Sequence, residues 1–375
     1  MNRRKKILFI MTALNGGGAE NVLSTLLCNI DYTLYEVELL LTFSKGVYSK
    51  RIPENVVVKT IYHNNTWLRK LLMFLYRRFG WKYGIKLLLN HNCAEWYDTI
   101  ISFMEGEPLL YHSMLCKKSL NNVTWVHIDL SKNYWSKKYF YKNEEYDCYN
   151  MMNHIAFVSK QAKVAFSTLF KINSSIKQSV VYNIVDSNLI LSKAEEDPKI
   201  VKRKFTICAS GRLEKQKAFH RLVEIAQRLK DKGYDFDVWI LGMGSLFSEL
   251  EQQIRNKNLI DVVKILGFCE NPYPIMKQAD LFISTSITEG FPIVICEALI
   301  IGLPILATKV TGTTEILEEG KYGVLSTENI EDLTNKTEIL LMNRSELVKY
   351  AHLSVSRANQ LFDLRSQMNE YYKIW

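Results

Sequence analysis

Two glutamates stand close together in the stretch TEGFPIVICEALIIGLPILAT, which covers residues 288–308. They are Glu289 and Glu297, and seven residues separate them. Two carboxylates at one site usually indicate a general acid and a general base, as in the hydrolysis of a glycosidic bond. A proline and an apolar run lie between this pair, so the two side chains need not face each other. The alternative is that each carboxylate contacts a different part of one extended ligand.

The residues around the two glutamates predict a loop followed by a short helix. Pro292 suits the first position of a helix and Gly302 its C-terminal cap, which places an apolar helix over 292–301. Glu289 then lies in the loop, and Glu297 lies roughly 7 to 9 Å further along the helix axis. A carboxylate among Ile, Cys, Ala and Leu needs a partner, and the hydroxyl groups of a sugar or a ribose would serve.

The second half of the chain opens with two basic residues at a strand-to-helix turn. In ASGRLEKQKAFHRL, Arg212 follows a predicted strand and Lys217 precedes a predicted helix. A guanidinium binds two phosphate oxygens at once, while an ammonium supplies a movable point charge. Basic residues at a helix start are also common on solvated surfaces. The fixed spacing after a buried strand instead favours a site where both bind a diphosphate.

Three consecutive glycines, Gly16, Gly17 and Gly18, follow the first predicted strand in LNGGGAENVL. Without side chains they let the backbone approach a ligand, and the start of the following helix favours negative charge. The pattern is not GxGxxG, and no acidic residue follows at the spacing that a ribose contact requires, which argues against a dinucleotide site. An ordinary tight turn is the alternative.

Both halves of the chain alternate short β-branched runs with helix-length amphipathic segments. Strands buried on both faces are typical of parallel α/β sheets, and two successive sets predict two doubly wound domains. Ligands bind at the carboxyl ends of such strands, so the two domains are expected to face a shared cleft. The predicted strands are 5–11, 35–43, 56–63, 98–103, 122–129, 154–159 and 178–183 in the first half, and 205–211, 237–242, 262–268, 279–285, 304–308 and 322–326 in the second.

The polar stretch 187–204 is the predicted domain boundary, because it contains charge blocks and a proline and has no clear period. The first domain is then 1–187, and the second is 188–358. Residues 359–375 are predicted to form a helix that crosses back to the first domain.

The composition excludes several classes of protein. The seven cysteines lie far apart, with no CxxC pair and no histidine placed to complete a metal cluster, so reduced thiols of a cytosolic protein are expected. The basic start and the apolar run after it imitate a signal peptide, but the run is only about eight residues long and ends in the glycine turn. No segment reaches the roughly 18 uninterrupted apolar residues that a spanning helix needs.

Excess positive charge is confined to the first half of the chain. Residues 1–187 carry 24 Lys and Arg against 14 Asp and Glu, whereas residues 188–375 carry 24 against 25. Segment 66–90 has six basic residues and no acidic one, and segment 132–142 has four lysines and five aromatic residues. Such segments bind anionic membranes. The residues expected to contact a membrane or an acceptor are Trp67, Arg69, Lys70, Arg77, Arg78, Trp81, Lys137 and Lys138.

Two alternatives remain open for these segments. Basic-aromatic surfaces also bind single-stranded nucleic acid. No RNA-binding motif accompanies them, however, so no nucleic acid is expected as a partner. Segment 66–90 also fits a helix packed into the core with a basic outer face, because its apolar residues recur near the helical period. Those residues are Leu68, Leu71, Leu72, Leu75 and Phe79.

Taken together, GRLEKQK, EGFPIVICEALIIGLPILAT and NGGGAE resemble the retaining GT-B glycosyltransferases of family four, as found in bacterial capsule and exopolysaccharide synthesis. The resemblance covers nearly the whole chain in order and includes VVYNIVD, ILGF, ADLFISTS and TGTTEIL. It implies two Rossmann-like domains and a nucleotide-sugar donor bound mainly by the second of them. UDP is the expected nucleotide, and neither a metal nor a cofactor is expected.

The resemblance also implies roles for individual residues. Arg212 and Lys217 would hold the donor diphosphate, Glu289 the hydroxyls of the donor sugar and Glu297 those of the ribose. His127, at a strand end in TWVHIDL, would lie beside the transferred sugar; without the resemblance it reads as an ordinary hydrogen-bonded histidine. The expected catalytic residues are thus His127, Arg212, Lys217 and Glu289. Backbone groups of Gly16, Gly17, Gly18, Gly290, Phe291, Pro292 and Ile293 would complete the donor site.

Three features depart from this resemblance or compete with it. Ile184 follows Asn183 where the family usually has glycine. Thr311 or Thr313 stands where glycines are common, which would narrow the sugar pocket. Residues 235–237 match the DxD motif that binds manganese in another class of glycosyltransferase. They precede a buried strand, however, and are expected to flank its entry without binding a metal.

The expected function is metal-independent, retaining glycosyl transfer. A hexosyl or N-acetylhexosaminyl group would move from the nucleotide sugar to a polyprenyl-diphosphate-linked saccharide at the cytoplasmic face of the cell membrane, during synthesis of a surface polysaccharide. Arg212, Lys217 and helix N-termini would neutralise the leaving diphosphate, with no protein nucleophile. The alternatives are another GT-B enzyme, such as a sugar-nucleotide epimerase or a phosphorylase, and a catalytically silent partner subunit.

Overall fold

The computed structural model describes residues 3–44, 46–63, 65–198 and 200–375. The chain divides into two compact units. The first is formed by Met1–Ile184 with Arg365–Trp375, and the second by Val185–Leu364. Each unit contains one parallel sheet whose strands alternate with helices along the chain. The prediction of two doubly wound α/β domains is therefore confirmed.

The first unit is built on a seven-stranded parallel sheet. Apolar residues on both faces of its central strand are fully buried, which is the pattern expected where helices cover a parallel sheet. In chain order the strands are β1 (Lys5–Met11), β2 (Tyr35–Leu41), β3 (Val56–Thr60), β4 (Tyr97–Ser102), β5 (Ser119–Val126), β6 (His154–Phe157) and β7 (Lys177–Val180). Across the sheet they follow the order β3-β2-β1-β4-β5-β6-β7.

Six helices connect these strands and cover the sheet. They are α1 (Gly18–Asn29), α2 (Thr66–Phe79), α3 (Tyr83–Asn92), α4 (Glu107–Leu115), α5 (Glu144–Asn150) and α6 (Lys160–Leu169) within the described ranges. The core of the unit joins Leu8 and Ile10 of β1 to the inner faces of α2, α4 and α6.

The second unit repeats the plan with six parallel strands. They are β8 (Phe205–Ser210), β9 (Phe236–Leu241), β10 (Val263–Gly267), β11 (Leu281–Ser284), β12 (Ile305–Thr308) and β13 (Val324–Ser326), in the spatial order β10-β9-β8-β11-β12-β13. Its helices are α7 (Ser187–Ala194), α8 (Phe219–Asp231), α9 (Phe247–Asn256), α10 (Tyr273–Lys277), α11 (Ile293–Ile301), α12 (Thr311–Ile316), α13 (Ile330–Met342) and α14 (Arg344–Leu361). Every predicted strand segment overlaps one of the thirteen strands found in the described residues, and β4, β5, β7 and β9 begin one to three residues before the predicted start.

The domain boundaries differ in detail from those expected. The stretch 187–204 begins with helix α7, which belongs to the second unit, and its Lys199 lies outside the described residues. The second unit continues to Leu364, so 359–361 are the end of α14. A separate last helix, α15 (Leu364–Tyr372), belongs almost entirely to the first unit.

Segment 66–90 forms two helices instead of one. Gly80, with a φ of 72°, ends α2 in the left-handed conformation that glycine adopts most easily, and α3 begins at Tyr83. The buried residues of α2 are Leu72, Met73 and Tyr76, whereas Leu71 and Phe79, which would face inward if the helix were only packed into the core, are exposed.

Residues 235–237 flank a strand, as expected. Asp235 pairs with Lys204 at 2.6 Å, and Asp237 lies within β9 and pairs with Lys264 at 3.7 Å. No group of three or more metal-binding side chains occurs among the described residues. Within the same ranges, none of the helices combines the length and the hydrophobicity that crossing a bilayer requires.

Candidate functional site

The carboxyl ends of three neighbouring strands in the second unit lead to most of the predicted donor residues. β8, β11 and β12 lie side by side and run in the same direction, so the segments that follow them leave the sheet at one edge. Arg212 follows β8, Glu289 follows β11 and Thr311 follows β12. In doubly wound sheets this edge is where ligands bind.

Lys217 and Glu289 form an ion pair at this edge. Their Nζ and Oε1 atoms are 2.5 Å apart, and their side chains are 19% and 9% exposed. The hydroxyl of Ser286 donates to the same carboxylate oxygen at 2.7 Å. Burial weakens the screening of both charges, so the pair interacts more strongly than a surface pair would. Two residues expected to contact different parts of a donor thus contact each other.

The loop that carries Glu289 is fixed to the turn that carries Lys217. The N–H of Ile287 donates to the carbonyl of Gln216 at 2.8 Å, and the side-chain amide of Gln216 donates to the carbonyl of Thr288 at 2.7 Å. These bonds set the relative positions of the two charged residues before any ligand binds. Such preorganisation is what a site needs to stabilise developing charge.

Two glycines in the sequence LGMGS lie against the turn that bears Arg212. A Cβ atom on Gly242 would stand 1.9 Å from the carbonyl oxygen of Gly211, and one on Gly244 would stand 2.4 Å from that of Leu213. Neither glycine was expected to belong to the site. The sequence feature that could have identified them is a G-x-G pattern directly after a strand, because glycine permits close approach of another backbone segment.

Glu297 has different neighbours from Glu289. The hydroxyl of Tyr273 donates to Oε1 of Glu297 at 3.1 Å, and Glu297 is 6% exposed. Tyr273 begins α10, and nothing in the sequence marked it as a site residue. The two glutamates therefore take part in separate hydrogen-bond sets, which favours two ligand contacts over one acid–base pair.

The start of α11 holds the backbone groups predicted for the donor site. Residues 290–293 are buried. Helix α11 begins at Ile293, so Pro292 is its N-cap residue and not, as expected, its first helical residue. The N–H groups of a first helical turn have no acceptor within the helix. The N–H of Gly312 donates to the carbonyl of Glu289 at 3.0 Å and so connects this loop to α12.

The threonines of the following loop are used within the protein. The hydroxyl of Thr313 donates to the carbonyl of Thr308 at 2.6 Å and accepts from the N–H of Val310 at 3.1 Å. It therefore caps α12. Both Thr311 and Thr313 are buried.

Arg212 differs from Lys217 in its surroundings. Its side chain is exposed, and it makes no ion pair or side-chain hydrogen bond with a residue that the structure describes. Of the two residues predicted to bind a diphosphate, one is paired internally and the other is free to bind.

The glycine turn after β1 already binds a carboxylate. Oε2 of Glu20 accepts from the N–H groups of Gly16 at 2.7 Å and Gly17 at 2.9 Å. Gly16 has a φ of 107°, a conformation that other residues rarely adopt. Two of the amides predicted to meet a phosphate are therefore used by the chain itself. The signal was an acidic residue in the first turn of α1, at the third position of a capping box.

His127, directly after β5, is a buried and neutral histidine. Burial lowers the pKa of its imidazole to about 4. The ring lies 5.1 Å from that of Phe103, and Nε2 has no hydrogen-bond partner among the described residues. A neutral imidazole with an unused nitrogen can bind an uncharged hydroxyl.

The basic-aromatic segments of the first unit are joined to each other. The hydroxyl of Tyr76 donates to Glu144 at 2.7 Å and accepts from the N–H of Tyr141 at 3.2 Å. Lys82 pairs with Glu144 at 2.9 Å. We define the basic-aromatic surface as the exposed basic and aromatic side chains of these segments: Trp67, Lys70, Phe74, Arg77, Arg78, Phe79, Trp81, Tyr83, Lys86, Lys132, Lys137, Lys138 and Lys142.

Arg69 points inward, contrary to its predicted place on this surface. Its guanidinium makes two hydrogen bonds, of 2.8 and 2.7 Å, to the carboxylate of Glu107, which is 1% exposed. The hydroxyl of Tyr111 also donates to that carboxylate. The charge of Arg69 thus compensates a buried anion and holds α2 against α4.

The family model described as glycosyl transferases group 1 matches residues 192–353. The N-acetylgalactosamine-N,N'-diacetylbacillosaminyl-diphospho-undecaprenol 4-alpha-N-acetylgalactosaminyltransferase of Campylobacter jejuni is 36% identical over 150 residues, 40% of each chain. The putative colanic acid biosynthesis glycosyltransferase WcaL of Salmonella typhimurium is 34% identical over 127 residues, 32% of this chain and 31% of that protein. The chain spans about a third to two fifths of these curated relatives.

The crystal structure of HepE from Anabaena in complex with UDP and glucose superposes with a TM-score of 0.79 at 22% identity, over 99% of each chain. At this identity the likeness concerns the fold, which is GT-B. Residues 192–353 thus match the model of the glycosyl transferases group 1, and the two parallel α/β units have the GT-B fold.

Proposed function

We propose that this protein is a retaining glycosyltransferase of family four. It transfers a hexosyl or N-acetylhexosaminyl group from a UDP-linked sugar to a lipid-linked saccharide during synthesis of a cell-surface polysaccharide. The observation that carries the proposal is the buried group formed by Lys217, Glu289 and Ser286 at the carboxyl edge of the second sheet, beside the unpaired Arg212. This edge lies within the part of the chain that matches the family model.

The charged residues of this edge fit a diphosphate leaving group. Cleavage of the bond between the sugar and the diphosphate leaves negative charge on the phosphate oxygens, and preorganised cations stabilise that charge. Arg212 is free to bind two oxygens, and Lys217 can exchange its carboxylate partner for a phosphate. Transfer is expected to persist in EDTA, because the residues proposed to neutralise this charge are cationic side chains.

The glutamates are proposed to bind the sugar nucleotide at two places. Once Lys217 turns to the phosphate, Glu289 has carboxylate oxygens available for sugar hydroxyls. Glu297, with Tyr273 on one oxygen, is proposed to hold the ribose hydroxyls. His127 is proposed to contact the transferred sugar through its unused Nε2.

A lipid-linked acceptor is supported by two observations. The name of the Campylobacter jejuni relative includes a diphospho-undecaprenol substrate. The basic-aromatic surface of this chain also combines cations with exposed Trp67, Phe74 and Phe79, which are 68%, 59% and 66% exposed. Aromatic side chains favour the membrane interface, and each cation near an anionic leaflet contributes about 1 kcal/mol. We propose that this surface binds the cytoplasmic leaflet.

A donor-panel assay tests the transferase proposal. Purified protein is incubated with each of several UDP-sugars, membrane lipid extract and EDTA, and lipid-linked products are read by mass. The expected result is a mass increase of one sugar residue with one donor. Conversion of a nucleotide sugar into its epimer without any acceptor product would instead support the epimerase alternative.

Vesicle flotation tests the membrane proposal separately. The protein is expected to float with phosphatidylglycerol-containing vesicles at low salt and to be released at high salt, because salt screens the cationic surface. Failure to bind these vesicles at low salt would remove the membrane from the proposal and leave the transferase part intact.

A further inference from the structure

Glu105 is a buried carboxylate in the turn that follows β4, and it was not identified as a site residue from the sequence. It is 1% exposed. Its Oε2 accepts from the backbone N–H of His127 at 3.1 Å, and its Oε1 accepts from the indole N–H of Trp135 at 3.2 Å. One carboxylate therefore joins the residue after β5 to the aromatic segment 132–142.

The surroundings of Glu105 disfavour its charge. Burial raises the pKa of its carboxyl to about 7, and the carboxylate of Glu145 on α5 adds to the rise, although the N–H donors from His127 and Trp135 oppose it. The carboxylate has no ion pair with a cation in the described part of the chain. Carboxyls held at strand ends with raised pKa values are more typical of functional sites than of packing.

Glu105 also lies directly beneath the basic-aromatic surface. Gly106 has a φ of 79°, and a Cβ atom there would stand 3.1 Å from the ring of Trp135. Trp135 packs edge-on against Tyr139 with ring centroids 5.6 Å apart, and the ammonium of Lys138 lies 5.3 Å from the Tyr139 ring centroid. The turn that contains Glu105 and Gly106 therefore packs against segment 132–142, which carries the lysines.

We propose that Glu105 is a positioning residue for the acceptor side of the transfer reaction. Its carboxylate fixes His127 and Trp135 relative to each other, so that an acceptor bound at segment 132–142 is presented to the imidazole of His127 in one geometry. Glu105 acts through these two residues and not by touching substrate, because it is almost fully buried. The inference rests on the proposed function.

The test compares Glu105→Gln with the wild-type protein. Glutamine keeps the size and one acceptor oxygen, but its NH2 group cannot accept the second N–H. The chain should remain folded, with a thermal midpoint at pH 8 no lower than that of the wild type, because a buried charge has been removed. UDP binding measured by calorimetry should be unchanged, since Arg212, Lys217 and Glu297, the side chains proposed to hold UDP, lie in the second unit.

Transfer should nevertheless fall. With the UDP-sugar that the donor panel selects and with membrane lipid extract as acceptor, we expect kcat to drop by roughly tenfold or more while the donor KM stays unchanged, as misplacement of a reacting group predicts. Trp135→Phe, which keeps an aromatic ring and removes the indole N–H, should reproduce part of this loss.

The outcomes separate the two proposals. If the wild type transfers sugar and folded Glu105→Gln transfers it equally fast, the inference about Glu105 is overturned. A loss of rate that only parallels a loss of folded protein would overturn it as well, because Glu105 would then be structural. A wild type that transfers no sugar from any donor of the panel would instead count against the proposed function.

Discussion

The two units hold a strand-end carboxylate in opposite ways. In the second unit, Glu289 has a cation at 2.5 Å and a hydroxyl at 2.7 Å. In the first unit, Glu105 has two N–H donors but no ion pair within the described ranges, and burial raises its pKa to about 7. The charge of Glu289 is compensated by a cation, whereas the surroundings of Glu105 disfavour its ionised form.

This difference indicates that the two carboxylates have different functions. A compensated carboxylate can exchange partners at little cost, because a phosphate that takes Lys217 releases Glu289 to bind hydroxyl groups. An uncompensated carboxylate holds its neighbours in place at the expense of stability. Substitutions of Lys217 or Glu289 are thus expected to change mainly catalysis and ligand binding. Substitution of Glu105 is expected to change folding stability as well.

Removing the cation from the compensated pair should have the largest effect. Lys217→Ala is expected to lower kcat/KM roughly a hundredfold or more, because the diphosphate loses a preorganised charge. Initial-rate kinetics with the selected UDP-sugar measure it. Lys215→Ala, an exposed lysine in the same turn, is the matched control and should retain the wild-type rate. Equal losses in the two variants would contradict the assignment.

The uncompensated carboxylate should be visible in the pH dependence of stability. The carboxyl of Glu105 is protonated in the folded protein up to about pH 7, whereas in the unfolded chain it ionises near its ordinary value of 4.5. Wild-type stability therefore falls as pH rises through this window. Glutamine does not ionise, so Glu105→Gln should gain about 2 kcal/mol relative to wild type between pH 5 and pH 8 in urea unfolding.

Glu38→Gln provides the opposite control. Burial acts to raise the pKa of Glu38, but hydrogen bonds from Lys59, Tyr97 and Lys6 outweigh it, and the pKa is lowered. The ionised form therefore stabilises the fold above the ordinary pKa, and this contribution is lost as pH falls. Its replacement should lower stability at pH 8. If stability depended on pH in the same way in Glu105→Gln and Glu38→Gln, the proposed difference between the two carboxyls would be wrong.

A smaller effect is expected where a neutral group supports the donor site. Tyr273→Phe should raise the dissociation constant of UDP severalfold, by about 1 kcal/mol, because Glu297 loses a hydrogen bond. The pH profile of transfer should stay unchanged, since Glu297 is proposed to bind and not to transfer protons. Tyr234→Phe removes a similar bond, of 2.8 Å to Glu338, and should leave UDP binding unaltered.

The smallest effect should come from single charges on the basic-aromatic surface. Lys70→Ala is expected to weaken binding to anionic vesicles by about 1 kcal/mol at low salt, with no change at high salt. Flotation across a lipid series measures it. Lys117→Ala removes an exposed lysine at the amino end of β5 and should bind as the wild type does. A larger loss in the control would refute the position of the surface.

Local patterns explain why so much of the fold could be predicted. Each strand is a short β-branched or apolar run with a turn after it, and that pattern needs no knowledge of distant residues. The same holds for the positions of Arg212, Lys217 and Glu289 in the segments that follow strands and of Glu297 in the helix after β11, whereas their chemical roles stay predictions. The pairing of Lys217 with Glu289 was not predictable, because it joins positions 72 residues apart.

The residues that escaped prediction depend on contacts that the local sequence does not encode. Glu105 acquires its character only from residues 22 and 30 positions away. Tyr273 meets Glu297 across 24 residues. Arg69 looked like a surface cation in a basic segment, and only the buried carboxylate of Glu107 turns it inward. A helical period predicted one long helix over 66–90 because Gly80 was taken as part of it.

The carboxylate of Glu20 on the glycine turn has a consequence for how anions are recognised there. Gly16 and Gly17 are not vacant donors, because the chain supplies its own anion through a short tether. A phosphate proposed to bind these amides would have to displace the carboxylate of Glu20. The local concentration of that carboxylate is constant, because it is covalently attached to the same chain. An anion with a single charge, like that of a carboxylate, would gain no binding free energy by replacing Glu20. A ligand of the kind proposed for this turn would therefore need more charge, or a second point of attachment, than Glu20 has.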